Sequence, residues 1–366
     1  MPANADRAGG ATGEAGATGR PRRNGRGGAA SRITLASIAV EAGVSLPTVS
    51  KVVNGRADVA PETRARVARL LEEHNYLHGG RRSARRSGLV DLVFNQLDSP
   101  WAIQILRGVE DYFAGHSRAV VISAVRHGNA RPASWTSALA SHDTNGVILV
   151  TEELTADQWR QLHDQDIPLV VIDPVNAPGP GVPSVGATNW AGGIAATDHL
   201  LELGHRRIAT ISGPDNYLCS RARTDGYRFA LERAGIVHDP GLVRYGDFQH
   251  EGGFRCGGEL LDLDDRPTAI FAGSDQQALG VYEAARRRGL LIPEDLSVVG
   301  FDDLPVARWL SPPLTTVRQP LVEMGRVAAE MLGHLIEGSR LRSQRMELST
   351  DLLVRESTAA PRSRRH

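Results

Sequence analysis

After residue 88 the chain alternates short apolar runs with longer amphipathic stretches. The runs are Val90–Phe94, Ala119–Val125, Val147–Val150, Leu169–Ile172, Ile208–Ile211, Ile270–Ala272 and Val298–Phe301. Runs of this length, bounded by polar residues, read as strands buried on both faces. Between them lie helical stretches such as Trp101–Ala114, Ile194–Leu203, Gly226–Ala234 and Ala278–Arg288. Buried strands separated by helices define the parallel α/β class, because a parallel pair needs a crossover connection. More than 250 residues of this texture imply two sheets or one long one. In such folds ligands bind beyond the carboxyl ends of strands. That rule marks Asn95 to Trp101, Asp173, Asp247-Phe248, Ser274-Asp275 and Asp302-Asp303.

Residues 33–77 have a different pattern, three short helices. Leu35, Ile38, Ala39 and Ala42 recur at helical spacing behind Thr34 as N-cap. Gly43 suits a helix end with positive φ, Ser45 can cap the next helix, and Pro47 sits in its first turn. Val49, Val52 and Val53 give that second helix an apolar face; a third starts near Pro61 and carries Val67, Leu70 and Leu71. Small Ala39, turning Gly43 and plugging Val49 form a helix-turn-helix pattern.

Charge supports the division. Overall, 42 basic side chains balance 42 acidic ones, but residues 1–88 hold 15 basic against 7 acidic, +8, leaving −8 for the remainder. A basic head on an acidic body suits a polyanion-binding module joined to a second function. Residues 1–31, rich in Gly, Ala and Arg, read as a disordered tail, and 79–88 as a basic linker.

Several classes are disfavoured. The chain has no run of about 18 apolar residues for a membrane span, and its first thirty residues lack the apolar segment of a secretory signal. The expected compartment is the cytoplasm, with no membrane partner. Two cysteines, Cys219 and Cys256, make neither a disulfide scaffold nor a zinc site. Lys51 is the sole lysine and has no phosphate-binding glycine loop before it; His74 and His78 lack the Glu of a metalloprotease helix; no G-x-S-x-G elbow occurs. No enzyme activity, cofactor or metal is expected.

Thr34-Leu35, Ile38-Ala39, Ala42 to Ser45, Thr48 to Gly55, Val59, Thr63-Arg64 and Asn75-Tyr76 together resemble the head of the lactose/galactose repressor (LacI/GalR) family. The body agrees through Leu203-Gly204-His205, Ser220 to Arg223 with Gly226-Tyr227, and Pro267 to Phe271. It continues to agree through Ser274-Asp275, Ser297 to Asp303 and Pro312 to Val317, so the likeness spans roughly residues 33–357.

The resemblance implies a three-helix helix-turn-helix head (32–78) and a two-lobed periplasmic-binding-protein-like core of parallel sheets (89–357). The expected N-lobe is 89–186 with 319–340, the C-lobe 187–318 with 341–357, and 358–366 a disordered basic tail. It implies a homodimer on a pseudo-palindromic double-stranded operator, the second helix lying in a major groove. Base contacts then fall to Leu46, Pro47 and Lys51, of which only Lys51 can donate a hydrogen bond. Thr34, Ser45, Thr48, Ser50 and Asn54 fit phosphate positioning. The family's linker carries a leucine wedge, but no leucine lies between Leu77 and Leu89 here. Arg81, Arg82, Arg85 and Arg86 either enter the minor groove or touch phosphates.

For the core, the resemblance implies a small-molecule effector held between the lobes, a sugar or oligosaccharide. Arg223 corresponds to the effector-binding arginine, Asp173, Asn189 and Asp302 to acceptors, and Trp101 and Phe248 to stacking positions. Ser274 replaces a frequent Asn, and Asn95, Asp275 and Gln319 complete the set. Two rivals are a transport-system sugar-binding protein, which would have no helix-turn-helix, and a sugar-processing enzyme, which would need an acid–base pair such as Asp173 and Asp302.

Overall fold

The computed structural model describes residues 35–53, 59–73, 88–95, 97, 99–124, 139, 143–150, 155–179 and 181–362. Two compact units divide near residue 84.

The head comprises α1 (Leu35–Ala42), α2 (Leu46–Val53) and α3 (Pro61–Glu73). Gly43, at φ 63°, adopts the left-handed conformation that ends α1 and turns the chain through 107° into α2. Ser45 Oγ accepts from the Thr48 backbone N–H at 3.3 Å and caps α2. Ile38, Ala39, Val49, Val67 and Leu71 close a small core. Val49 is fully buried where α2 crosses, as its plugging role requires.

The core's first sheet runs in the order β11-β5-β4-β3-β1-β2 and is wholly parallel. Its strands are β1 (Leu89–Phe94), β2 (Ala119–Ala124), β3 (Val147–Val150), β4 (Leu169–Ile172), β5 (Ser184–Ala187) and β11 (Arg345–Leu348). Alternate side chains serve opposite faces. Val90, Leu92 and Phe94 meet Ile105 and Phe113 of α4 (Pro100–Ala114) and Met324 and Leu332 of α11 (Leu321–Ile336). Val93, Val147 and Leu149 face Leu162 of α5 (Ala156–Asp164).

The second sheet has the order β12-β10-β9-β8-β6-β7, with only the β10–β12 pair antiparallel. It contains β6 (Ile208–Ser212), β7 (Val243–Tyr245), β8 (Ala269–Ala272), β9 (Ser297–Asp302), β10 (Thr315–Arg318) and β12 (Asp351–Leu353). On one face α8 (His250–Leu261) and α9 (Asp275–Arg287) cover Ile211, Ile270 and Val298. On the other α6 (Asn189–Glu202) and α7 (Leu218–Arg233) cover Ile208, Phe271 and Phe301. A short α10 (Pro305–Trp309) follows β9. Each large buried side chain contributes about 1.5–3 kcal/mol through lost apolar exposure.

The chain crosses between lobes three times, at Thr188, at Gln319-Pro320 and at Ser349-Thr350. The third crossing lies past the expected boundary at 340/341, because β11 pairs in parallel with β5 and only β12 joins the second sheet. Residues 341–348 therefore belong with the N-lobe. Thr188 and Thr350 lash two crossings together: their hydroxyls lie 3.0 Å apart, and the Thr350 N–H donates to Thr188 Oγ1 at 3.0 Å.

The expected tail also differs, since residues 358–362 dock on the C-lobe. His205, fully buried, bonds Thr268 Oγ1 at 2.8 Å, Ser297 Oγ at 3.0 Å and the Ala359 carbonyl at 2.9 Å. Arg362 pairs with Asp295 at 3.2 Å. Composition marked this segment as polar; the side chains of His205, Ser297 and Asp295 hold it. No single helix among the described residues is long and apolar enough to cross a membrane.

Candidate effector cleft and DNA-reading helix

The carboxyl ends of strands from both lobes converge on a cleft of about 750 Å³, open mouth included. Asn95 and Trp101 line it from the loop and helix after β1, Asp173 from the end of β4. From the C-lobe come Tyr217 and Arg223 around the start of α7, Phe248 after β7, Ser274 after β8 and Asp302 at the end of β9.

Arg223 organises the cleft. It is 4% exposed, donates from Nε to Asn189 Oδ1 at 2.8 Å and from Nη1 to the Gly273 carbonyl. Its guanidinium carbon lies 3.7 Å from the centroid of the Phe301 ring and 5.4 Å from that of Phe248. A planar cation held flat against a ring and fixed at two donors presents its remaining N–H groups in one direction. Asn189 is thus a support for Arg223 and lies outside the cleft lining.

Asp173, Phe248 and Asp302 have positive φ values of 46°, 67° and 119°. Such backbone strain concentrates where surrounding structure forces a side chain into place. The Phe248 ring occupies the space beside Gly213, where a Cβ would fall 2.1 Å from it. Ser274 Oγ holds the Phe248 carbonyl at 2.7 Å and accepts from the Gln277 N–H at 3.1 Å, capping α9.

Burial pushes Asp302 up to about 7, Arg223 acting against it. Gln319, at the second crossing, donates from Nε2 to Asp302 Oδ1 at 2.6 Å, so it too stands behind the cleft. Burial likewise raises Asp173, opposed by Arg223 and by a hydrogen bond from the Cys219 thiol. The same burial, with the Asp173 charge, raises the thiol.

Asp275 does not line the cleft. It is fully buried, accepts from the Leu304 N–H at 2.6 Å and from the Thr316 hydroxyl, and burial pushes it well above the carboxylate range. Its task is to tie α9 to the loop after β9. The strand-end rule could not separate it from Ser274, because adjacent residues at a helix start point in different directions. Tyr217, Gln249 and Gln276 line the cleft without having been singled out, since they sit at helix starts lacking an apolar-run boundary.

In the head, Ser45, Leu46, Pro47 and Lys51 are exposed and Thr48 and Ser50 half-buried. Leu46 is 48% exposed. Thr34, Asn54, Arg81, Arg82, Arg85 and Arg86 lie outside the described residues.

Comparison with known proteins agrees with both units. Residues 34–78 match the family described as bacterial regulatory proteins, lacI family, and residues 197–358 a periplasmic binding protein-like domain. The HTH-type transcriptional repressor CytR of Escherichia coli (strain K12) is 34% identical over 330 residues, covering 89% of this chain and 96% of CytR. The HTH-type transcriptional regulator CelR of Thermobifida fusca is 37% identical over 339 residues, covering 89% and 98%. The solved transcriptional regulator CelR–cellobiose complex superposes with TM-score 0.69 at 36% identity, covering 89% of this chain and all of that one. The lac repressor dimer bound to operator and the anti-inducer ONPF gives TM-score 0.66 at 28% identity, covering 90% and 99%. With nearly the whole length of relatives named as transcriptional repressors and regulators matched, head and cleft alike, the chain belongs to the lacI family of bacterial regulatory proteins.

Proposed function

We propose that this regulator is a repressor that binds a pseudo-palindromic operator as a homodimer and is controlled by a sugar or oligosaccharide held between its lobes. The observation that carries the reading is the pinned guanidinium of Arg223 in one cleft with the carboxyls of Asp173 and Asp302 and the aromatic faces of Trp101 and Phe248. Planar donors and acceptors fix hydroxyl pairs, and aromatic rings cover the C–H face of a pyranose. A relative of 36% identity has been solved with cellobiose, which makes β-linked glucose disaccharides the first ligands to try.

On DNA, Lys51 reads a base edge, Leu46 and Pro47 contribute apolar contact, and Ser45, Thr48 and Ser50 position the helix on phosphates. Thr34, Asn54 and the linker arginines act from the flanks. Closing or reorienting the lobes changes how the two heads are spaced, and the sugar shifts operator affinity by its preference for one state. A typical coupling of about 1–3 kcal/mol corresponds to roughly 5- to 150-fold. Acting on chromosomal DNA, the protein works in the cytoplasm.

The test is a two-part titration. Glucose, cellobiose, maltose and xylobiose are screened by thermal shift, since a ligand of the folded state raises the melting temperature. Sugars that shift it are then added to complexes with genomic fragments in an anisotropy assay. A sugar that raises the melting temperature and alters fragment affinity supports the reading. No fragment preference with or without sugars would refute it, and so would chemical turnover of the sugar.

A further inference from the structure

Two N-lobe residues that follow β1, Asn95 and Ser99, reach across the cleft to separate elements of the C-lobe. Asn95 Nδ2 donates to the Tyr217 hydroxyl at 3.4 Å, and Ser99 Oγ donates to Gln276 Oε1 at 3.3 Å. Gln276 Nε2 in turn donates to Gln249 Oε1 at 3.2 Å. Ser99 also accepts the Trp101 N–H at 3.3 Å and so caps α4, the helix that carries the cleft's indole. These contacts form only at one lobe spacing, because their two ends belong to different sheets.

The bonds across the cleft are long, 3.3 and 3.4 Å against the usual 2.7–3.2 Å. They do not satisfy Asn95 either: its Oδ1 is buried at the cleft without a hydrogen-bond partner. A buried acceptor lacking a donor is a costly arrangement that a ligand hydroxyl would relieve.

We propose that Tyr217 and Gln276 are specificity-determining residues which, with Asn95 and Ser99, bind the ligand's hydroxyls and lobe closure into one event. The inference rests on the sugar reading given above and adds which residues decide among sugars. A hydroxyl donating to Asn95 Oδ1 completes the Asn95–Tyr217 clasp, and the amide of Gln276 holds a second hydroxyl beside Ser99. A neutral disaccharide, with hydroxyls on two rings, offers groups to both clasps together.

The experiment measures affinity by calorimetry on the full chain for cellobiose, or for whichever neutral disaccharide of the screen gives the largest thermal shift, and for glucose. Tyr217→Phe keeps the ring beside Phe248, 6.4 Å between centroids, and removes the hydroxyl; Gln276→Leu keeps the volume. Each substitution should weaken the disaccharide about 3- to 10-fold, as loss of one neutral hydrogen bond does, and reduce the preference over glucose. In the double variant the losses should be non-additive, because both clasps report the same closure. Disaccharide affinity and preference at wild-type values in both single variants would overturn the inference while leaving the sugar reading intact. If no sugar binds the wild-type protein, the sugar reading fails and this inference fails with it.

Discussion

Arg223 lies flat on Phe301, its guanidinium carbon 3.7 Å from the ring centroid, while its Nε is held 2.8 Å from Asn189 Oδ1. The ring belongs to β9 and the amide to the first turn of α6, so Arg223 is positioned by two elements whose main work is building the C-lobe core. Orientation here is a packing property.

That predicts an intolerance to lysine. Arg223→Lys keeps the charge but loses the fork and the flat stack. Sugar affinity should fall about 10- to 100-fold, the cost of a charged hydrogen bond, and operator binding by the variant should no longer respond to sugar. A wild-type response in the anisotropy titration would contradict the assignment.

The helix approach beneath Arg223 is equally exacting. A Cβ on Gly193 of α6 would sit 2.3 Å from the Arg223 carbonyl oxygen on α7. Gly193→Ala must push the helices apart, destabilising the protein by about 1–3 kcal/mol and weakening sugar binding through displacement of Arg223. Denaturant unfolding and calorimetry on the same sample read both effects.

Asp302 makes the protein pH-dependent. Its carboxyl is raised from 3.8 to about 7 by burial. An acid raised on folding holds its proton longer in the native state, so the contribution of Asp302 to stability is greatest at low pH and declines as pH rises from about 4 toward 7. Ionised Asp302 is the better acceptor for sugar hydroxyls, so affinity should tighten between pH 6 and 8. Asp302→Asn should flatten both profiles. His205 runs the other way: burial lowers it below its ordinary value, so protonation of the unfolded chain erodes stability as pH falls below about 6.5.

The docked C-terminal segment contributes measurable stability. Truncation after Glu356 removes the Ser357 bonds to the Val298 carbonyl and the Thr315 N–H, together with the Ala359 partners of His205 and Ser297. The melting temperature should drop by roughly 5–10 °C, four lost hydrogen bonds at about 1 kcal/mol each. An unchanged value would show that the segment is bound only loosely.

In the head, Lys51→Ala should cost about 1–3 kcal/mol of discrimination between operator and random DNA. Equal losses on both would reassign Lys51 to phosphate. Either way the logarithm of affinity should fall with that of salt concentration, with a slope of roughly −0.9 per neutralised phosphate.

The sequence alone determined the class of each unit, because periodicity answers to burial. Runs such as Val90–Phe94 must be covered on both faces, and Ala39, Gly43 and Val49 leave one way to turn two helices against each other. It also marked the strand ends that carry Asp173, Arg223's neighbours and Asp302. Tertiary structure decided what pattern cannot encode. Neighbouring Ser274 and Asp275 take different tasks, one supporting Phe248 and the other sealed behind the cleft. Asn189 and Gln319 serve as supports, and residues 358–362 are held by His205. Short edge strands β11 and β12 divide the stretch 345–353 between two lobes. The reason is physical: local preference fixes whether a segment is helix or strand, whereas a polar side chain's role depends on which partner from a distant segment reaches it first.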